Sequence, residues 1–154
     1  MISHPELLVE QFGLSAPIDI ESFLKKIRWV IEPLPPQEQN SDICTVVKDG
    51  TIFWNPRLLN SPMKKRFAFA FVTGQLNTNS GTTATSMDYS IMERPSEALV
   101  YAMTLLVPSS LLTQAIDHGH VKELRDVQRL FNVSEITAYN RLMHLLTQRQ
   151  TAAA

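Results

Sequence analysis

The chain has 154 residues, 44% of them hydrophobic, which suffices for one cored domain with a small helical appendage but not for two full domains. Its 14 basic and 15 acidic residues leave a net charge of −1, which argues against a strong field for nucleic acid or an anionic membrane. Cys44 is the single cysteine, so no internal disulfide can form. No apolar run approaches the roughly 20 residues that span a bilayer, and no secretory signal opens the chain. We therefore expect a cytoplasmic protein that does not bind membranes.

The first third of the chain predicts two short helices and a small sheet. Residues 5–12 favour a helix that Gly13 ends, and Asp19 is suited to cap a second helix. Trp29-Val30-Ile31 predicts a strand, followed by a loop rich in proline. The runs 43–47 and 51–54 then predict a hairpin, because the Asp-Gly pair between them supplies the positive backbone dihedrals of a tight turn.

The middle of the chain predicts one deeply buried helix. Ser61 supplies a cap for a helix from about Pro62 to Leu76. Residues 67–72 are apolar on nearly every side of that helix, so we expect it to be buried against the sheet. Residues 77–90 are polar and rich in small side chains, which predicts a loop.

The last third of the chain predicts four helices. One begins at Pro95 or Ser96 and is closed by Pro108, and Ser110 can cap a brief helix through Ile116. Residues 121–131 and a helix capped by Ser134, running to about Gln148, flank a tight turn, which is a helix-turn-helix pattern. The predicted domains are residues 1–108 and a helical tail, 109–150, packed on them.

Several segments, in this order and spacing, resemble the ImmA/IrrE family of bacterial and phage metallopeptidases over about residues 17–146. They are Pro17-Ile18-Asp19, Ile52-Phe53-Trp54-Asn55, Arg66-Phe67-Ala68-Phe69-Ala70, Glu97-Ala98, Tyr101-Ala102, Leu105-Leu106-Val107-Pro108, Leu130-Phe131-Asn132-Val133-Ser134 and Arg141-Leu142. The resemblance implies an α+β, zincin-like domain, with a three-stranded antiparallel sheet packed on helices and a helix-turn-helix-like end.

The family's zinc helix reads His-Glu-x-Gly-His, and a glutamate in the next helix is the third ligand. Carried onto this chain, the first histidine falls on Phe71, the general base on Val72 and the second histidine on Gln75. The third ligand falls on Glu97, with Glu93 as a rival one turn earlier. One carboxylate and one amide cannot replace three ligands and a base. We therefore expect no catalytic residue, no metal and no cofactor.

The four positions 71, 72, 75 and 97 are thus expected to form a vestigial pocket. Phe71 is suited to fill the space that metal and water take in an active relative, a burial worth about 1.5–3 kcal/mol. Glu97 is either a contact for a partner or a first-turn acid that complements the helix dipole. His118 and His120 suggest a metal site, but without a third ligand nearby a solvated helix end is the preferred interpretation.

By analogy with the family, the expected role is that of an inactive peptidase-like regulator that binds a protein partner, such as a phage, mobile-element or stress-response repressor or a toxin. The alternative is a DNA-binding regulator that uses the helix-turn-helix. Its candidate contacts, for DNA or for a partner, are Arg125, Arg129, Asn140 and Arg141. Nearby acidic residues offset much of this charge. A third hypothesis is a homo-oligomeric structural or toxin–antitoxin component.

Overall fold

The structure, a computed structural model, describes residues 4–78, 83–85 and 96–153. These residues form helices and strands in an α+β arrangement, so the predicted fold class is confirmed at that level. The helices are α1 (Pro5–Phe12), α2 (Ile20–Lys26), α3 (Pro62–Thr78), α4 (Glu97–Leu106), α5 (Ser109–Asp117), α6 (Leu124–Phe131) and α7 (Glu135–Ala153), with a short 3-10 helix at Pro36–Glu38. The strands are β1 (Val30–Pro33), β2 (Thr45–Lys48), β3 (Thr51–Trp54) and β4 (Thr83–Thr85).

The four strands form one sheet in the order β1-β3-β2-β4. The predicted hairpin is confirmed: β2 and β3 pair antiparallel, and Asp49 (φ 50°) and Gly50 (φ 76°) make the turn between them. The expectation of a purely antiparallel, three-stranded sheet is wrong. Strand β1 runs parallel to β3, with Val30 opposite Thr51, and β4 adds antiparallel to β2. Residues 83–85 had been expected to lie in a loop, and most other residues of that loop lie outside the described ranges.

The chain divides into two compact units, and the division differs from the predicted one. Among the described residues, unit 1 contains 19–78, 83–85 and 96–102, and unit 2 contains 4–18 and 103–153. Helix α1 had been assigned to the first domain with everything up to residue 108. Instead, it belongs with the helices of the C-terminal end.

Unit 1 is cored around α3, which packs on α2 and β2, while α2 also packs on β1. Asp19 caps α2 as predicted: its carboxylate accepts hydrogen bonds from the Ser22 backbone N–H at 3.0 Å and from the Ser22 hydroxyl at 2.7 Å. Cys44 is buried in contact with Leu59 and Ala68, which confirms its expected place in the core.

Unit 2 is cored where α5 and α6 pack on α7. Its fully buried side chains include Leu105, Leu112, Val127 and Phe131. Helix α6 begins at Leu124 rather than at the predicted Val121, because the Asp126 carboxylate accepts the backbone N–H groups of residues 122 and 123 at 2.9 and 3.0 Å. Those two hydrogen bonds fix the chain just ahead of the helix.

The segment Glu97–Asp117 is 21 residues long and apolar enough to cross a membrane by length and composition alone. It had not been singled out from the sequence. Half of its most apolar window is buried inside the protein, and Pro108 separates it into α4 and α5. This is the pattern of core helices, while the cytoplasmic location stays a prediction.

Candidate functional site

Helix α3 carries the positions that would hold a metal in the resembled family. The Ser61 hydroxyl accepts the Lys64 N–H at 3.2 Å, which caps the helix as predicted. The middle of the helix is buried. Five of its residues are each exposed by 1% or less: Ala68, Phe69, Ala70, Val72 and Thr73. The Thr73 hydroxyl donates to the Phe69 carbonyl at 2.8 Å, so its burial leaves no unmet donor.

A glycine brings α4 against the C-terminal half of α3. A Cβ placed on Gly74 would lie 2.5 Å from the Ala98 carbonyl oxygen and 2.9 Å from its Cα. Only a residue without a side chain allows this backbone approach. The contact sets the first turn of α4, where Glu97 lies, beside the turn of α3 that contains Gly74.

The four vestigial-pocket residues differ in burial. Val72, at the general-base position, is fully buried. Phe71 and Gln75 are half-buried, and Glu97 is exposed. The buried member of the set is therefore Val72, and Phe71 does not fill its surroundings as completely as expected. Glu93 lies outside the described residues.

The side chains at these positions do not fit a metal. A phenyl ring and an isopropyl group have no donor atom, and one amide with one exposed carboxylate is too poor a set for zinc. Within residues 4–78, 83–85 and 96–153, no group of three His, Cys, Asp or Glu residues could hold an ion. The rings of His118 and His120, whose centroids are 6.0 Å apart, lie at the exposed end of α5, as the solvated-end interpretation expects.

The N-terminal half of α3 lines a cleft of about 660 Å³ within unit 1. The other walls come from the start of α2 and from the residues that follow β3. The cleft combines aromatic surface with charges of both signs. Its most informative lining residues are Asp19, Glu21, Trp54, Lys65, Arg66 and Phe69. The sequence had not indicated a cleft here.

Lys65 organises the wall of this cleft. Its ammonium lies 4.1 Å from the centre of the Trp54 ring and 3.3 Å from a Glu21 carboxylate oxygen. The Trp54 and Phe69 rings meet edge to face at 6.5 Å, a favoured aromatic geometry. Cation–π and ionic contacts of this kind hold long side chains in place, so the aromatic surface is preorganised.

Two charged residues at the rim of the cleft, Asp19 and Arg66, each favour the charged form of the other. The backbone N–H of Ser22 is the main cause that lowers the pKa of Asp19, with smaller help from the Ser22 hydroxyl and Arg66. Burial lowers the pKa of Arg66, and Asp19 acts in the opposite direction. An arginine stays protonated under such a shift. Asp19 and Arg66 therefore place two fixed charges of opposite sign at the rim of the cleft.

Asn55 fixes the backbone next to Trp54, although from the sequence it had been marked only as the last residue of a resembling segment. Its side chain is fully buried, and its amide donates to the carbonyls of Gln39 at 3.1 Å and Ile43 at 3.0 Å. Its side-chain oxygen accepts the Arg57 N–H at 3.1 Å. This one side chain ties the loop before β2 to the turn after β3, where the cleft begins.

In unit 2, Arg141 is buried, whereas its predicted use as a DNA or partner contact requires an exposed side chain. Its side chain is 6% exposed, and its guanidinium donates to the Val107 carbonyl at 2.9 Å and to the Ser109 hydroxyl at 2.8 Å. It also pairs with the Glu6 carboxylate at 3.4 Å. Burial lowers the pKa of Arg141, and Glu6 opposes that effect.

Glu6 has a second role in the same cluster. Its carboxylate accepts the backbone N–H of Ser109 at 2.7 Å and so caps α5, where Ser110 had been expected to act. The Glu6–Arg141 cluster thus joins α1, α5 and α7 and accounts for the place of α1 in unit 2. A distant carboxylate supplies the cap because the residue before the helix, Pro108, has no side-chain donor or acceptor.

The remaining predicted contacts lie apart from that cluster. Arg125 and Arg129 are exposed on α6. The Asn140 amide donates to the Ile136 carbonyl at 2.9 Å, within its own helix. The outward face of α7 carries Ile136, Tyr139, Met143 and Leu146, so the exposed side of this helix is largely apolar, and the predicted contact Arg141 lies on the opposite, buried side.

Comparison with known proteins identifies no relative: no family model, no curated protein and no solved structure matches this chain.

Proposed function

We propose that this protein is a catalytically inactive, metallopeptidase-like module that regulates a protein partner by binding it without cutting it. The partner class we propose is a repressor, toxin or other regulator of phage, mobile-element or stress-response control. The cleft of unit 1 is the proposed contact surface. Its aromatic wall and paired charges suit a peptide segment with an apolar anchor.

The observation that carries the proposal is the contrast between the two halves of α3. The C-terminal half carries Phe71, Val72 and Gln75, which by the resemblance stand at the positions of two zinc ligands and a base, and Val72 is fully buried. The N-terminal half, through Lys65, Arg66 and Phe69, lines an open cleft. A helix that has no donors for catalysis but presents an ordered aromatic surface is better suited to recognition than to hydrolysis.

The DNA-binding alternative has less support. Arg141 is buried in an ionic cluster, and the outward face of α7 is apolar, whereas phosphate binding needs exposed cations. Loss of a gel shift on Arg141→Ala would therefore report disruption of the fold. Arg125→Ala and Arg129→Ala are the informative variants for this alternative. A salt-dependent shift that both of them weaken would favour it over the present proposal.

The proposed loss of the metal site is tested by placing histidines at the two positions that hold zinc ligands in the resembled family. Wild-type protein should take up no stoichiometric Zn²⁺ in equilibrium dialysis. Phe71→His with Gln75→His should bind Zn²⁺, and adding Glu97→Ala to that pair should weaken binding by about tenfold or more, if Glu97 completes the set. A histidine pair at Thr147 and Thr151, two exposed positions of α7 one turn apart, is the control, and it should be indifferent to Glu97→Ala.

The outcomes separate the parts of the proposal. Stoichiometric zinc in the wild-type protein, with cleavage of a repressor, would refute the inactive module. Zinc binding by the histidine pair that does not depend on Glu97 would refute the inferred frame around α3. Circular dichroism of each variant checks that helix content is unchanged.

The binding role is tested with the products of the genes that flank this one, each titrated into the protein by isothermal titration calorimetry. Trp54→Ala should weaken the complex by about tenfold, as for an aromatic anchor at an interface. Trp29→Ala is the matched control, since Trp29 is also half-buried but does not line the cleft. The regulator should remain uncut. Equal effects of the two variants would remove the cleft from the proposal.

A further inference from the structure

Helix α7 leaves a line of large apolar side chains in solvent. Ile136 is 47% exposed, Tyr139 55%, Met143 43% and Leu146 41%. We call these four residues the apolar stripe. Isolated exposed apolar residues are ordinary on protein surfaces, but a continuous row of them marks an interaction site.

The spacing of the stripe is that of a coiled-coil seam. Its members follow one another at intervals of three, four and three residues, the a and d positions of a heptad. At about 100° per residue they fall within an arc of about 80°. The buried residues Thr137, Ala138, Arg141 and Leu145 occupy the opposite side of the helix. Helix α7 therefore has two faces suited to burial, and unit 2 covers one of them.

We propose that the apolar stripe is a homodimer interface, in which α7 pairs antiparallel with α7 of a second copy of this chain. A two-fold interface requires a surface that matches itself when reversed. The stripe meets this requirement, because it is symmetric about residue 141. Reversal sets Ile136 against Leu146 of the second copy, and Tyr139 against Met143 of the second copy.

The charges beside the stripe also match themselves on reversal. Glu135, Leu142 and Arg149 lie seven residues apart along one edge, at the g positions of the same heptad. In an antiparallel pair the g positions face one another, so Glu135 lies opposite Arg149 of the second copy, and Leu142 lies opposite its own equivalent at the two-fold axis. Each dimer thus gains two pairs of opposite charge.

Arg149 is available for that pairing. Its contact with Asp117 is 3.6 Å long, and both side chains are largely exposed, at 43% and 62%. Exposed ion pairs of this kind contribute little and exchange readily. A parallel arrangement would instead set g positions against e positions, so that Glu135 would face Asn140 of the second copy. It would make neither of the two opposite-charge pairs, and this favours the antiparallel arrangement.

The first test is the solution mass of the full chain, measured by sedimentation equilibrium over a concentration series. The wild type should reach twice the monomer mass of 17.4 kDa. Met143→Glu, which places a charge in the middle of the stripe, should remain monomeric with unchanged circular dichroism. Gln148→Glu, an exposed change on α7 outside the stripe, should associate like the wild type.

The second test swaps the flanking charges. Glu135→Arg alone and Arg149→Glu alone each create two like-charge contacts, so each should weaken dimerisation by about tenfold. The two changes together in one chain should restore dimerisation to within about threefold of the wild type. Only an interface that brings residue 135 near residue 149 of the other copy gives this rescue.

Three results would contradict the homodimer proposal or a part of it. A wild type that stays monomeric at all concentrations would overturn the proposal, and would leave the stripe to a different protein or to a lipid surface. Dimers that Met143→Glu does not affect would place the interface elsewhere. Dimers without rescue by the double charge swap would overturn the antiparallel arrangement.

Discussion

Helices α3 and α7 differ in where their apolar side chains lie: α3 buries its central ones, whereas α7 leaves several of them in solvent. In α3, Phe69 and Val72 are turned inward and buried to within 1%, and the hydroxyl of Thr73 is satisfied inside the helix. In α7, the charged Arg141 lies inside, whereas Tyr139 and Met143 lie in solvent. The first helix is completed by its own unit, and the second has an apolar face that its unit does not cover.

This difference shows where to look for activity in each unit. In α3, two of the positions aligned with a zinc helix by the resemblance hold the apolar Phe71 and Val72, and the other half of the helix lines the cleft. In α7, a buried ionic cluster fixes the inward face and leaves the apolar stripe for association. Buried charges cost stability unless they are fully paired, so the cluster is expected to be sensitive to change.

The largest predicted effect is at the inward face of α7. Arg141→Ala should lower the free energy of unfolding by about 3–5 kcal/mol, because it leaves the Glu6 carboxylate partly buried without its cation. Denaturant titration measures the loss. Arg129→Ala, on the exposed side of α6, is the control and should change stability by less than about 0.5 kcal/mol. Equal effects would mean that Arg141 contributes no more than a surface residue.

The next largest loss of stability is expected in the loop that supports the cleft beside α3. Asn55→Ala removes the donor to two backbone carbonyls and the acceptor of the Arg57 N–H, all within the fold. It should cost about 2–3 kcal/mol, since buried polar groups lose their partners. Asn60→Ala provides the comparison, because Asn60 is exposed. A neutral Asn55→Ala would show that the loop does not depend on this side chain.

A smaller effect is expected where α4 approaches α3. Gly74→Ala introduces a Cβ 2.5 Å from the Ala98 carbonyl, and so forces the two helices apart. The cost should be about 1–3 kcal/mol by thermal denaturation, even though alanine is the better helix former. Lys64→Ala, at an exposed site of the same helix, should be close to neutral. A stabilising Gly74→Ala would contradict the close approach.

The smallest predicted effect is a gain in stability, at Thr45 in β2. Thr45 is 1% exposed, and its hydroxyl finds no hydrogen-bond partner within the part of the chain that the structure describes. Thr45→Val removes that unmet polar group at nearly constant volume, so it should raise the free energy of unfolding by about 1 kcal/mol. Thr51→Val, at a half-buried strand position, gives the baseline. A loss of stability for Thr45→Val would show that the hydroxyl is in fact satisfied.

Local features could be predicted from the sequence, and long-range ones could not. The caps at Asp19 and Ser61 and the turn at Asp49-Gly50 depend on neighbouring residues, and each is confirmed. The choice of β3 as the parallel neighbour of β1 depends on how the chain returns after Leu34, which strand composition does not encode.

The same limit explains the errors in unit 2. Glu6 and Arg141 are 135 positions apart, so no local pattern marks them as a pair, and an arginine on a predicted recognition helix resembles a phosphate contact. The spacing of the apolar stripe is present in residues 136–146 of the sequence, but it had not been singled out there. Without the structure, however, it could not be told which apolar side of α7 faces the core. The cleft was missed because its walls come from three separate segments.

Hydrogen exchange measured across α3 and α7 in one sample tests the account most directly. At two protein concentrations, with and without equimolar Zn²⁺, the amides of residues 68–74 should exchange slowly and at the same rate in every condition. Those of residues 136–146 should exchange more slowly at the higher concentration, whether or not zinc is present. Slower exchange in α3 on addition of zinc would contradict the claim that this helix has no metal site. Exchange in α7 that does not depend on protein concentration would contradict the proposal that the apolar stripe is a dimer interface.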